Sequence, residues 1–239
     1  MRDTGERKHG LPFLAGVFTG VLIVTPILSF IARPGGDVQQ QLRAIKLFPW
    51  AYGLNFTVAL ALAPLSIAVA ISVYRQQQRE AVMKGKVSSA EAAALAKGKD
   101  PTSGAWMRTG YGLYALLVSF SYVSQIIFSI FDPMQMQPEQ ALGWYFYNST
   151  SIAYVVNQTG YLFWGITTLF LFIPLLRKRG YVFWVSILLI IPAITQITVS
   201  LVSYTGFMDF AGLSFYRGLI LLPAGILIII YGLKTEHLN

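Results

Sequence analysis

The chain has 239 residues, of which 55% are hydrophobic and only 12% are charged, and its formal net charge is +8. A soluble domain carries about twice that charged fraction. Because cysteine is absent, the composition excludes a disulfide scaffold, a thiolate metal site and a cysteine nucleophile, and its apolar content excludes a disordered tail. The composition predicts an all-α, polytopic membrane protein.

Six apolar stretches are long enough to cross a bilayer, whose core of about 30 Å needs roughly 20 helical residues. They predict one transmembrane domain, 1–239, built as a bundle of six helices. The predicted spans cover about 11–32, 50–74, 109–131, 148–176, 181–203 and 215–233. The first stretch is longer than the apolar part of a signal peptide, about 7–15 residues, so we expect it to remain as a span.

The basic residues predict the orientation of the spans. Fourteen of the 18 Lys and Arg residues precede span one, lie between spans two and three or between spans four and five, or follow span six. The positive-inside rule then predicts that both termini are cytoplasmic. The same distribution explains the net charge, so we expect no nucleic-acid partner.

Two loops carry helix signals. On the outer side, apolar residues at spacings of four and three predict a short interfacial helix over 37–47. On the cytoplasmic side, the basic loop 75–108 begins as a helical extension of span two, and Ser-x-x-Glu over 88–91 predicts another short helix. This loop is either a solvated hairpin or a docking patch for anionic lipid headgroups or a cytoplasmic partner.

The middle of every predicted span lacks Lys, Arg, His, Asp and Glu. The spans therefore offer no axial histidine for haem, no carboxylate relay for a proton-driven transporter and no metal-ligand cluster. We expect no cofactor and no metal, and we favour a non-enzymatic protein. An enzyme acting on lipid headgroups requires that Asp132, Glu139 and Asp209 converge at the outer surface.

Neutral polar residues form a stripe along each of spans two to five when each residue turns the helix by 100°. The predicted ligand-binding residues in these stripes are Asn55, Tyr122, Gln125, Tyr154, Asn157, Gln158, Tyr161 and Gln196. Their five amides all lie in the outer half of the bilayer. An unpaired amide facing lipid costs several kcal/mol, so the stripes are expected to face one another or water.

Two interpretations of these stripes stay open. The amides and hydroxyls either bond across helices and hold the bundle together, at roughly 0.6 kcal/mol per contact, or they line an outward-facing pocket. Tyrosine combines an apolar ring with a polar tip, which suits a small neutral or amphipathic ligand.

Glycines predict where helices approach closely. Gly218, Gly225 and Gly232 recur every seven residues on span six and predict a smooth face for another helix. Gly16 and Gly20 form a GxxxG pair on span one, which we expect to pack within the fold. Prolines within the spans, at Pro26, Pro64, Pro192 and Pro223, predict kinks.

Spans three to six carry a family resemblance. Span four contains GYLFWG over 160–165, then an apolar run to Pro174 and RKRG over 177–180. Together with 122–125, this pattern resembles one in prokaryotic six-span membrane proteins of unknown function. The resemblance implies a bacterial or archaeal plasma membrane and no particular activity.

The sequence thus predicts a non-enzymatic protein of a prokaryotic inner membrane, surrounded by lipid, that binds or passes a small neutral or amphipathic molecule in a polar pocket between helices. The alternative is an accessory or structural subunit of a larger membrane complex. It would dock on a membrane-protein partner through the span-six glycine face and the cytoplasmic loop 75–108.

Overall fold

A computed structural model describes residues 10–32, 37–83, 104–131, 136–148, 150–205 and 210–236. Across these ranges the chain is helical and without strands, which confirms the all-α class. Four helical stretches are long and apolar enough to cross a membrane, namely Pro49–Gln77, Gly104–Ile130, Ile152–Arg177 and Tyr181–Ser203. Two further apolar stretches, Gly10–Thr25 and Leu221–Lys234, are shorter.

Nine α-helices make up the described part of the chain. They are α1 (Gly10–Ala32), α2 (Val38–Leu47), α3 (Pro49–Leu60), α4 (Leu62–Met83), α5 (Gly104–Ile130), α6 (Pro138–Trp144), α7 (Ile152–Phe172), α8 (Tyr181–Ser203) and α9 (Phe210–Glu236). A 3₁₀ segment, Ile173–Arg177, directly extends α7.

The short helix predicted over 37–47 is confirmed as α2. Its first turn is closed by a reciprocal pair of hydrogen bonds. The Asp37 carboxylate accepts from the Gln40 backbone N–H at 2.8 Å, and Gln40 Oε1 accepts from the Asp37 N–H at 3.2 Å. This arrangement is a capping box. Leu42 and Ile45 are buried, so α2 turns its apolar face to the bundle.

The second predicted span is two helices rather than one. α3 ends at Leu60 and α4 begins at Leu62, with Ala61 in a turn between them. Pro64 explains the break, because its ring nitrogen has no hydrogen to donate to the Leu60 carbonyl and its ring clashes with that group. The effect depends on context, since α8 continues through Pro192 without interruption.

Other boundaries differ from the predictions by a few residues. α7 begins at Ile152 because the Ser151 hydroxyl caps it, accepting from the Tyr154 N–H at 3.1 Å. α4 runs to Met83, which confirms the helical extension of span two. The short helix α6 lies between α5 and α7, where none was predicted. The Ser-x-x-Glu motif over 88–91 lies outside the described residues.

The long helices pack in chain order into a closed ring. α5 contacts α3 and α4 on one side and α7 on the other; α7 contacts α8, α8 contacts α9, and α9 returns to α1. Two glycines hold α7 close to both neighbours. A Cβ at Gly160 would lie 2.8 Å from Val118 of α5, and one at Gly165 would lie 2.9 Å from the Ala193 carbonyl of α8. Only glycine permits these approaches.

The glycines of span six face α1 of the same chain. A Cβ at Gly225 would overlap the Thr19 hydroxyl, and one at Gly232 would lie 2.9 Å from the Pro12 ring. This part of the smooth face is therefore occupied within the fold. The surroundings of Gly218 lie outside the described part of α9.

The GxxxG pair on α1 has the opposite placement. Gly16 and Gly20 are exposed, and an added Cβ at either would meet no described atom within 4 Å. The prediction that this pair packs within the fold is wrong. α1 instead buries a neighbouring face that carries Ala15 and Phe18, and this face points the glycines away from the bundle.

Candidate functional site

The polar stripes are turned into the bundle, as predicted. On α5 the whole stripe is buried, namely Tyr111, Tyr114, Ser121, Tyr122, Gln125 and Ser129. The stripe on α8 is buried at Pro192, Gln196, Ser200 and Ser203. The other predicted ligand-binding residues are buried at Asn55, Tyr154, Asn157 and Gln158 and half-buried at Tyr161. Burial is expected both for a pocket and for a network that holds helices together. The hydrogen bonds of each amide distinguish these two interpretations.

Gln125 is the centre of a complete hydrogen-bond network, which we call the Gln125 hub. Its Oε1 accepts from the Tyr52 hydroxyl at 2.7 Å and from the Phe146 backbone N–H at 3.2 Å. Its Nε2 donates to the Trp144 carbonyl at 2.9 Å and to the Ser124 hydroxyl at 3.2 Å. An amide offers two donors and two acceptor sites. All four are used, so the hub holds α3, α5 and the α6–α7 connection together.

Aromatic rings surround the Gln125 hub. The Tyr52 ring centroid is 4.9 Å from that of Phe56 and 6.5 Å from that of Tyr145. Phe146 lies 5.0 Å from Phe56 in an edge-on arrangement. Such pairs stabilise beyond their burial. The Tyr145 hydroxyl donates to Gln41 Oε1 on α2, which connects α2 to the same cluster.

A second network joins α7 to α8 through two amides and a hydroxyl. Gln196 Nε2 donates to Gln158 Oε1 at 3.3 Å and to the Ser200 hydroxyl at 3.0 Å. The Ser200 hydroxyl donates to the Gln158 backbone carbonyl at 3.0 Å. This network uses the acceptor of the Gln158 side chain. Its Nε2 donor is buried and pairs with no described residue.

Asn157 lies next to this network with both of its amide atoms unpaired. Nδ2 and Oδ1 are buried, and neither has a hydrogen-bond partner in the described chain. The Asn157 amide approaches the Tyr122 hydroxyl closely enough for a weak polar interaction, but this contact does not have the geometry of a full hydrogen bond. Burying an amide without a partner costs about 2–7 kcal/mol. We call Asn157 and Gln158 the open amide pair.

Tyrosine and phenylalanine rings lie beside the open amide pair. The Tyr122 and Tyr161 hydroxyls form a hydrogen bond of 3.0 Å across α5 and α7. The Tyr122 ring centroid is 6.1 Å from Phe146, and Phe146 is 6.3 Å from Tyr154. The surroundings of the pair are therefore apolar ring faces with hydroxyl groups at their edges.

The predicted ligand-binding set thus divides into groups. Tyr122, Asn157 and Tyr161 come together at the α5–α7 contact, and Gln158 and Gln196 come together at the α7–α8 contact. Gln125 is fully committed to the hub. Sequence patterns missed the role of the 144–146 backbone, because the end of a short helix and the turn after it carry no periodic signal.

The described residues contain no group of three His, Asp or Glu that could hold a metal ion. Asp132, Asp209 and the Glu139 side chain, the carboxylates of the lipid-headgroup alternative, lie outside the described residues. No protein family, curated protein or solved structure matches this chain. The function must follow from the residues of the site.

Proposed function

We propose that this chain is a non-enzymatic, six-span protein of a prokaryotic inner membrane that binds or passes a small neutral or amphipathic molecule between α5, α7 and α8. The observation that carries the proposal is the open amide pair. Asn157 Nδ2, Asn157 Oδ1 and Gln158 Nε2 are buried, and none has a hydrogen-bond partner among the described residues. Buried polar groups in proteins are normally paired with protein, ordered water or a ligand.

The charge distribution supports a neutral occupant. The described Lys and Arg side chains are all exposed or half-buried, so none lies buried beside the open amide pair. An ionised ligand held within the membrane without a buried counter-charge would lose its hydration without compensation. The aromatic surroundings instead suit an uncharged ring or an amphipathic molecule.

The six-span topology is supported by the two end helices. α1 has 23 residues and α9 has 27, and about 20 are enough to cross the hydrocarbon core. Exposed Trp106 and Trp184 lie near exposed basic residues, among them Arg108 and Arg179. Basic residues beside interfacial Trp side chains are expected at a cytoplasmic membrane surface, and this supports the proposed cytoplasmic location of both termini.

An accessory subunit of a larger complex is the second candidate. Gly225 and Gly232 contact α1 within the chain, so a partner helix would need another face. The exposed Gly16 and Gly20 on α1 provide one. Most of the loop 75–108 lies outside the described residues, and its docking role stays a prediction.

Native mass spectrometry of gently extracted protein tests the two candidates. For wild type we expect the 26.5 kDa chain with a reproducible small-molecule adduct. Asn157→Leu should remove the adduct, because leucine has the branched shape of asparagine without its hydrogen-bonding atoms. Gln140→Leu, which changes an exposed amide on α6, is the matched control and should retain it.

Three outcomes would count against the pocket. Wild type without any adduct would leave water as the occupant of the site. An adduct that persists in Asn157→Leu would place the molecule elsewhere. A larger assembly that contains a different polypeptide would favour the accessory subunit, and Gly20→Leu should then release the partner.

A further inference from the structure

The open amide pair presents more donors than acceptors. Asn157 Nδ2 and Gln158 Nε2 each carry two N–H groups, and neither nitrogen has a partner among the described residues. Asn157 Oδ1 is the pair's unpartnered acceptor, because Gln158 Oε1 already accepts from Gln196. An occupant that satisfies the pair must therefore supply several acceptor sites and at least one donor.

We infer that the occupant is a neutral, flat compound with a carbonyl group next to an N–H or O–H, as in a carboxamide, a lactam or a protonated carboxylic acid. This inference deepens the proposed function and rests on it. The donor and the acceptor of Asn157 lie side by side on one planar group. A carbonyl and its neighbouring N–H or O–H match that edge with two parallel hydrogen bonds.

Gln158 adds a second point of recognition. Consecutive helical residues point about 100° apart. Asn157 and the Gln158 Nε2 donor would therefore bind two different parts of the same molecule. The Gln196 contact at 3.3 Å and the Ser200 network hold the Gln158 side chain in place. A second acceptor on the ligand, such as another carbonyl or an ether oxygen, would complete the pair.

The surroundings select the neutral form and a ring-shaped body. A carboxylate presents acceptors alone, so it would set its charge against Asn157 Oδ1 and leave that oxygen unpaired. The rings of Tyr122, Phe146 and Tyr154 contact one another in a row, with centroids 6.1 Å and 6.3 Å apart, and form an aromatic wall. Flat apolar groups pack against such rings.

Two probes that differ only at the amide nitrogen test the inference. Benzamide carries a carbonyl and an N–H, whereas N,N-dimethylbenzamide keeps the carbonyl and the ring but has no N–H. The loss of one partner leaves a buried acceptor unpaired, so we expect the dimethyl compound to bind about tenfold more weakly or worse.

The readout is the side-chain amide signal of Asn157 itself. The chain contains four asparagines, Asn55, Asn148, Asn157 and Asn239, so ¹⁵N-asparagine labelling of the detergent-solubilised full chain gives four side-chain pairs of peaks. Asn157→Leu identifies one pair by its loss, and Asn157→Ala does so if the leucine variant fails to fold. Benzamide should shift that pair in a saturable manner and leave the Asn148 pair unchanged.

Each result decides one question. Equal binding of the two probes, or no shift of the Asn157 signals with benzamide, would overturn the donor–acceptor inference. If native mass spectrometry still shows an adduct that depends on Asn157, the proposed function survives that failure. If no adduct is found and benzamide has no effect, both fail together.

Discussion

Gln125 and Asn157 are amides on two helices that pack against each other, and both are 0% exposed. They differ in how their atoms are used. Gln125 makes four hydrogen bonds to three parts of the chain, whereas both amide atoms of Asn157 lack a partner among the described residues. The two amides are equally buried but differ in role: Gln125 holds helices together, and we propose that Asn157 binds an occupant.

The backbone near each amide explains the difference. Gln125 lies beside the end of α6, where the Trp144 carbonyl and the Phe146 N–H are outside any helical ladder and need partners. Asn157 lies beside Tyr122 on the side of α5, where the backbone groups are already used within the helix. A buried amide near a turn can bond to unpaired backbone groups. A buried amide along the side of a helix can be paired only by side chains, water or a ligand.

The largest expected effect is that of Gln125→Leu. The change removes the four bonds of the hub and leaves the Tyr52 hydroxyl, the Trp144 carbonyl and the Phe146 N–H unpaired. We expect the free energy of unfolding to fall by about 2–4 kcal/mol, measured by detergent titration in mixed micelles. Gln140→Leu is again the control, and a fall below about 0.5 kcal/mol would contradict the structural role of Gln125.

Asn157→Leu should act in the opposite direction. It removes a buried amide that has no partner among the described residues, so the free energy of unfolding of the ligand-free protein should rise by about 1 kcal/mol. The same titration measures it. A loss of stability comparable to that of Gln125→Leu would show that Asn157 holds helices together, and the contrast between the two amides would disappear.

The smallest effect is expected for Ser200→Ala, which tests the network beside the open amide pair. The Ser200 hydroxyl joins Gln158 to Gln196, and a single interhelical bond of this kind contributes about 0.6 kcal/mol. Ser203→Ala is the matched control, because its hydroxyl bonds to the Ser200 carbonyl within α8, and it should change little. An equal loss of stability in the two variants would show that the α7–α8 network does not hold the Gln158 side chain in place.

Much of the fold follows from local sequence. The bounds of α8, Tyr181–Ser203, are those predicted, because Gly180 precedes the helix with a φ of 79° that favours glycine. The buried polar face of α5 also follows from helical periodicity. Each of these features depends on a single segment of the chain, so each can be predicted from the sequence.

Features that depend on two segments could not be predicted in this way. Periodicity shows that Gln125 and Asn157 face inward, but it does not show which atoms they meet. The outward placement of Gly16 and Gly20 depends on which face of α1 packs against α3, α4 and α9. The break at Ala61 could not be predicted either, because Pro64 is compatible both with one kinked helix and with two separate helices.

The contact between α1 and α9 has a consequence for biosynthesis. α9 leaves the ribosome after every other described helix, yet it supplies the neighbour of the first one through Gly225 and Gly232. The Gln77 side chain of α4 likewise donates to the hydroxyl of Tyr231. The inward faces of α1 and α4 therefore stay without these contacts in a nascent chain. A chain truncated before α9 would expose them in the membrane, where quality-control proteases recognise incompletely packed helices.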